Sequence, residues 1–336
     1  MAEIMTRVDK VQLEGLALLQ IIKHCHENLP RSVAGSLLGL EADATLEVTN
    51  SFPSPVVAAA PGASPASPTN KDKSVMFASE SDEYQIDMMK NLREVNMDNN
   101  KVGWYQSAMN STYATTATIE YQFQYQKNLG QNAICIVYDP LETMKGALSL
   151  KAFRLTDAFL ETYKAKAFTK EGFAKADIRA ATMLEEIPIE LHNSDIVTCY
   201  LLELQAQKLA DCEFDRLDLA TNTYLENSLQ NLSAWADELA QEHYKFQGYE
   251  RAVAKQRAQY SQWVQKRREE NKVRRENGDE LLAEEDPSIA KSLNQPSRLE
   301  SLLITKQMNT YCDNINRYAG KSFNKLFLAG TLHKNE

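Results

Sequence analysis

The sequence predicts an α/β domain followed by a long α-helical tail, and three observations carry that prediction. Up to about residue 192, strand-like and helix-like patterns alternate, the order of a layered α/β structure. NAICIVYDP (132–140) is a continuous apolar run closed by a proline turn, the pattern of a buried central strand. Further on, Leu225, Leu229, Leu232, Ala236 and Leu239 recur at spacings of 4, 3, 4 and 3, a heptad seam long enough to require a partner helix.

The elements follow in order. VDKVQLEG (8–15) reads as a short strand. Residues 14–28 place Leu16, Leu19, Ile22 and Cys25 at helical spacing. SVAGSLLGL (32–40) and TLEVTNSF (45–52) form a strand pair about the polar turn at Asp43. Residues 53–73 hold five of the ten prolines among Ala, Ser and Gly. Proline removes donors and fixes the backbone, so this segment is expected to be a disordered loop. Residues 80–98 are predicted helical, with Tyr84, Met88, Leu92 and Val95 on one face. KVGWYQS (101–107) is a strand and 114–127 a helix. ALSLKAFRL (147–155) and MLEEIPIEL (183–191) are strands. Ser194 is positioned to cap a helix that begins SDIVTCYLLELQ. In the tail, 298–328 repeats the seam pattern with Ile304, Met308, Tyr311, Ile315 and Tyr318, and Leu326 and Phe327 extend its apolar surface. The acidic stretch 276–288 reads as a linker between two tail helices.

With 336 residues, 43% of them hydrophobic, the chain can bury a sizeable core. No stretch approaches the ~18 consecutive apolar residues of a membrane span. The N-terminus has no basic-then-apolar pattern, so no signal peptide is expected. Five scattered cysteines without a C-x-x-C pair read as free buried thiols in a reducing compartment. The net charge of -9 argues against a free-standing nucleic-acid binder.

Two local features invite a site. His24-Cys25-His26 suggests a metal, but residues i and i+2 of a helix do not face each other, and histidine suits a helix C-terminus for dipole reasons. Residues 255–275 contain eight Lys or Arg with Tyr260 and Trp263 interleaved. A solvated charged helix accounts for them, and RNA contact is the second expectation there.

V-G-W-Y-Q-S at 102–107, with the earlier R-S-V-A-G at 31–35, resembles the MPN-domain family over roughly residues 8–155. In catalytic members, the JAMM isopeptidases, two His two residues apart on a strand and an Asp from the next helix hold a zinc. A Glu acts as general base on the zinc-bound water. Here the first His position is Gln106 and the second is Ala108. The Ser and Asp positions are Thr116 and Ile119, and the Glu position is Ser32. No histidine occurs between His26 and His192. The resemblance therefore implies a metal-free, non-catalytic MPN domain with a central mixed sheet flanked by helices, holding no cofactor.

Y-D-P at 138–140 and S-L-K-A-F-R-L at 149–155, together with V-G-W-Y-Q-S, resemble the h-subunit family of eukaryotic translation initiation factor three. This implies a scaffold component on the small ribosomal subunit, supporting mRNA recruitment. Its MPN domain would pair with a second MPN-domain subunit, and its tail would join a bundle with other initiation-factor subunits. The implied organisation is an MPN core over 8–155, an extension over 156–215, a long helix over 216–275, a linker over 276–297 and a C-terminal helix over 298–330. The expected partner surface is Leu225, Leu229, Leu232, Leu239, Ile304, Met308, Tyr311, Ile315 and Tyr318. With such seams exposed, the chain expressed alone would self-associate. The alternatives are a metal-free MPN subunit of the proteasome lid or signalosome and, from another class, an active isopeptidase.

Overall fold

The computed structural model describes residues 7–55, 80–144, 148–206, 222–277 and 295–334. Residues 56–73 of the Pro/Ala/Ser segment and 278–288 of the acidic stretch lie outside the described residues. The strands are β1 (Lys10–Glu14), β2 (Ala34–Ala42), β3 (Thr45–Pro53), β4 (Lys101–Ser107), β5 (Ile134–Tyr138), β6 (Leu150–Leu155), β7 (Leu184–Ile187) and β8 (Ile189–His192). The helices are α1 (Gly15–Glu27), α2 (Glu80–Glu94), α3 (Thr116–Leu129), α4 (Pro140–Thr143), α5 (Asp157–Lys164), α6 (Lys170–Lys175), α7 (Asp195–Ala206), α8 (Asn222–Asn277) and α9 (Leu299–Lys334).

The strands form one mixed sheet in the order β7-β6-β5-β4-β2-β3-β1-β8. MLEEIPIEL is two strands rather than the one expected. Proline cannot donate to a ladder, and Pro188 divides the segment into β7, paired with β6, and β8, paired with β1. The opposite edges of the sheet are thus joined through a single residue. The two edge strands are consecutive in the chain. The sheet continues beyond residue 155 through β7 and β8.

The V-G-W motif has a packing reason. A Cβ on Gly103 would lie 2.3 Å from the carbonyl oxygen of Ile134, so only glycine allows β4 and β5 to run this close. The prediction that α2 reaches residue 98 is too long. Asn96, at φ 58°, turns the chain left-handed. The amide of Met97 then bonds back to Leu92 and that of Asn96 to Arg93, the double closure of a Schellman motif. Val95 consequently lies outside the helix and is exposed.

Each face of the sheet carries its own core. On one, α1 lays Ala17, Leu18, Ile21 and Cys25 against Val11, Leu37, Val48, Tyr105 and Ile136. On the other, Ile119 of α3 and Phe159 and Leu160 of α5 pack on Trp104, Val137 and Phe153. Leu299 and Leu303 of α9 belong to this second core. The C-terminal helix is therefore part of the domain's own packing.

The tail is two antiparallel helices. α8 is a single helix of 56 residues, about 84 Å long at the ~1.5 Å rise per residue of an α-helix. α9 runs back along it. Near the start of α9, the Arg298 guanidinium sits 3.6 Å from the centre of the Phe246 ring, a cation–π contact. None of the described helices is long and apolar enough to cross a membrane.

Candidate functional site

The positions that hold zinc in catalytic MPN domains cluster at the end of β4 and the start of α3. Gln106 is buried at the end of the strand, and Ala108, two residues on, is fully buried. Thr115 caps α3 by accepting the amide of Thr118. The Thr118 hydroxyl in turn donates to the Gln106 side-chain oxygen at 3.3 Å. Ile119 packs into the core beside Trp104 and Ala108, while Glu120 is exposed. Two ligand positions are thus filled with hydrocarbon, and the third is an amide already bonded to a threonine.

This donor set does not fit zinc, which takes Cys, His or carboxylate ligands. Among the described residues, no group of three His, Cys, Asp or Glu could hold a metal ion. The His24-Cys25-His26 triplet is divided up. His24 Nδ1 lies 2.9 Å from the Tyr105 hydroxyl, and His26 Nε2 lies 3.2 Å from that of Tyr138. Cys25 points into the core between them, and burial pushes its thiol up to about 12, so it stays protonated near neutral pH.

What fills the groove is the tail. The loop after β4 turns through two left-handed residues, Asn110 (φ 51°) and Ser111 (φ 58°). A backbone of this kind persists only where its surroundings fix it. Two buried side chains do so. Asp139 accepts the Ser111 amide at 2.5 Å while also capping α4 through Leu141 and Glu142. Burial raises its pKa, and the hydrogen bonds from the Ser111 and Glu142 amides oppose that shift.

From the other side comes Gln307 of α9, fully buried. Its amide nitrogen donates to the Ser111 carbonyl at 2.7 Å. Its oxygen accepts from the Ala114 amide at 3.1 Å and more weakly from Tyr113 at 3.4 Å. Asn314 donates to the Ser111 hydroxyl, Tyr311 meets the Thr112 hydroxyl at 2.5 Å, and Arg317 pairs with Glu142. Burial also raises the pKa of Tyr311, so it remains a neutral hydroxyl. A cavity of about 390 Å³ remains between groove and tail, lined by Gln106, Thr118 and Ser32 on one side and by Trp235, Glu238 and Tyr311 on the other.

The seam residues separate in this arrangement. Ile304 and Tyr311 are 3% and 1% exposed. Tyr311 lies in the chain's own groove, while Ile304 is buried within the chain. Met308, Ile315 and Tyr318 are half-buried, as are Leu225, Leu232 and Leu239 of α8, whereas Leu229 is exposed. Following the apolar stripe alone missed Gln307 and Asn314. A signal for them exists, since the two amides lie seven residues apart on the face that carries Ile304 and Tyr311.

Two family descriptions match the chain. One, JAB1/Mov34/MPN/PAD-1 ubiquitin protease, covers residues 6–130. The other, the C-terminal region of eIF3h, covers residues 143–336. The H subunit of eukaryotic translation initiation factor 3 from Arabidopsis thaliana is 43% identical over 328 residues, which are 97% of this chain and 93% of the relative. The chain belongs to the H-subunit family of eukaryotic translation initiation factor 3. Members from Nematostella vectensis, at 38% identity, and Aspergillus fumigatus, at 34%, also align over 97% of this chain. The match to this initiation-factor family includes the tail, so the groove and the helix lying in it fall within one family's extent.

Proposed function

We propose that this member of the H-subunit family is a non-catalytic scaffold of translation initiation factor 3, acting in the cytoplasm through protein–protein contacts. The observation that carries this reading is the replacement of the whole water-activating set. Ala108 and Ile119 offer no lone pair, Gln106 is engaged by Thr118, and Ser32 stands where a base is required. A single lost ligand could be supplied by a neighbour, whereas four lost roles could not.

Contact surfaces support the same reading. α7 exposes Ile196, Tyr200 and Leu202, and α1 exposes Leu16 and Leu19, apolar faces suited to a second MPN-domain subunit. The far end of α9 exposes Phe323, Leu326, Phe327 and Leu328, which suits a helical bundle with other subunits of the factor. On α8, Lys255, Arg257, Lys266, Lys272 and Arg275 are exposed, a basic stretch for RNA of the small ribosomal subunit.

Affinity purification with mass spectrometry tests the assignment. Recovery of initiation factor 3 subunits with ribosomal protein is expected, and recovery of proteasome-lid or signalosome components instead would overturn it. Stoichiometric, tightly held zinc in the purified chain would overturn the non-catalytic part. Reversing the charges of these five basic residues is expected to weaken ribosome association and its salt dependence. An unchanged association would remove RNA contact from the reading.

A further inference from the structure

We infer that the emptied metal groove has become a receptor for the chain's own C-terminal helix, and that α9 is a latch which docks there in the free chain and must leave the groove for its seam to enter an assembly. The second clause rests on the proposed scaffold role, and the first does not.

The groove recognises the helix through polar chemistry that simple helix packing does not require. Gln307, Tyr311 and Asn314 fall at i, i+4 and i+7, on one face of α9. All three are buried, and all three bond to residues 111–114 of the loop after β4. The Gln307 amide alone answers one carbonyl and two amides of that loop. Without the helix these backbone groups need water or another partner. Conversely, Gln307 and Asn314 would be costly on a helix face buried against purely apolar neighbours. Loop and helix are therefore matched donor for acceptor.

The latch also explains what replaced the zinc. A metal ties the end of β4 to the start of α3 by coordination. Here Gln106, Thr118 and Thr115 join those elements by hydrogen bonds, and α9 clamps the intervening loop from outside. Trp235 and Glu238 of α8 and Tyr311 of α9 stand over the opening, so the space that would admit a substrate is roofed by the tail.

The same face carries the seam. Ile304 and Tyr311 are sealed inside the closed chain, so a partner helix cannot reach them until α9 lifts. Self-docking and seam-mediated assembly are then mutually exclusive, and each opposes the other by the same free energy. This differs from the seam expected from the sequence alone, which would be open in the isolated chain.

The test uses the full chain with Glu142 and Arg317, whose side chains meet across the groove at 3.5 Å, both changed to cysteine. Cys199, Cys212 and Cys312 are changed to serine, leaving the buried Cys25 and Cys135. A short bifunctional thiol reagent is expected to join E142C to R317C within one chain, detected by peptide mapping; failure to join them in the free monomer overturns the latch. The same variant, with and without cross-link, is then added to initiation factor 3 depleted of this component. The uncross-linked form is expected to incorporate, and the cross-linked form about tenfold less, within the range of measured coupling energies. Equal incorporation overturns the exclusion while leaving the scaffold reading standing. If neither the uncross-linked variant nor the unmodified chain incorporates, the scaffold reading fails while the intramolecular docking stands. Q307A supplies a second readout, hydrogen exchange of residues 109–115. Faster exchange with the rest of the sheet unchanged is expected, and unchanged exchange there overturns the role given to Gln307.

Discussion

The two halves of α9 share one helix and have opposite surroundings. From Leu299 to Asn314, its inward face is buried, with Leu303 in the second core and Gln307 and Tyr311 against the loop after β4. From Phe323 onward the apolar side chains are exposed, Phe323 by 71% and Phe327 by 72%. A contiguous exposed apolar patch of this kind is where a further contact is expected. The first half finds its complement inside the chain, and the second half presents surface outward. The difference shows why an apolar period identifies a surface that seeks burial without identifying what buries it.

Four measurements break or sharpen that comparison. The largest effect is expected from Leu303→Ala. Leu303 is buried among the residues of the second core, and a leucine truncated in a core costs about 3 kcal/mol. Denaturant unfolding should show that loss; a change below about 0.5 kcal/mol would mean that the first half of α9 is not core. Gln307→Ala comes next. It leaves one carbonyl and two amides of the loop without their partner, for a loss of about 2 kcal/mol. A loss of that size without faster exchange at residues 111–114 would place the cost elsewhere.

The third effect is smaller and depends on pH. Hydrogen bonds from Arg154 and then Arg7 hold the Glu185 carboxyl below its ordinary value of 4.5. A depressed acid stabilises the fold above that value, and the contribution is lost as pH falls through the depressed one. The Glu185 side chain is 34% exposed, so solvent screening limits the effect to less than ~1 kcal/mol. Glu185→Gln should flatten the acid limb of the stability profile below about pH 4.5, and an unchanged limb would show that the pair contributes nothing. This ion pair ties β7 to β6 and calibrates how much a pair at the sheet edge is worth.

The smallest effect on the free chain is expected from the outward half of the helix. Phe323→Ser with Phe327→Ser should leave its stability within about 0.5 kcal/mol, as for surface sites without structural partners. The same pair should reduce co-purification of initiation factor 3 subunits. A large loss of stability would mean that the second half, like the first, is buried within the chain.

Much of the sheet could be read from sequence because its signals are local. The apolar run 132–140, the alternation in 147–155 and the polar turn at Asp43 each report burial of a few consecutive residues, and β5, β6 and the β2–β3 hairpin stand where expected. The ends of elements were less legible. Pro188 could be seen to interrupt a strand, but not that its two sides serve opposite edges of one sheet. Asn96 stops α2 through a left-handed turn that the stripe of Tyr84, Met88 and Leu92 does not register. At the candidate site, the residues at the ligand positions, Gln106, Ala108, Thr116 and Ile119, were readable from the resemblance to the MPN motif. Their new engagement was not, because Gln307 lies about 200 positions away from the loop it holds.

The sequence by itself determined which residues stand at the positions of the zinc-binding set of catalytic MPN domains, and the periodicity of its tail. Both are properties of residue type at fixed spacing, and neither depends on what lies across the gap. Only the tertiary structure decided which surface meets which. Contact between residues 111–114 and 307–314 is set by where the sheet places the loop after β4 and by the return of α9 to it. A hydrogen bond needs its partner within about 3 Å, and no local pattern records a partner that distant in the chain.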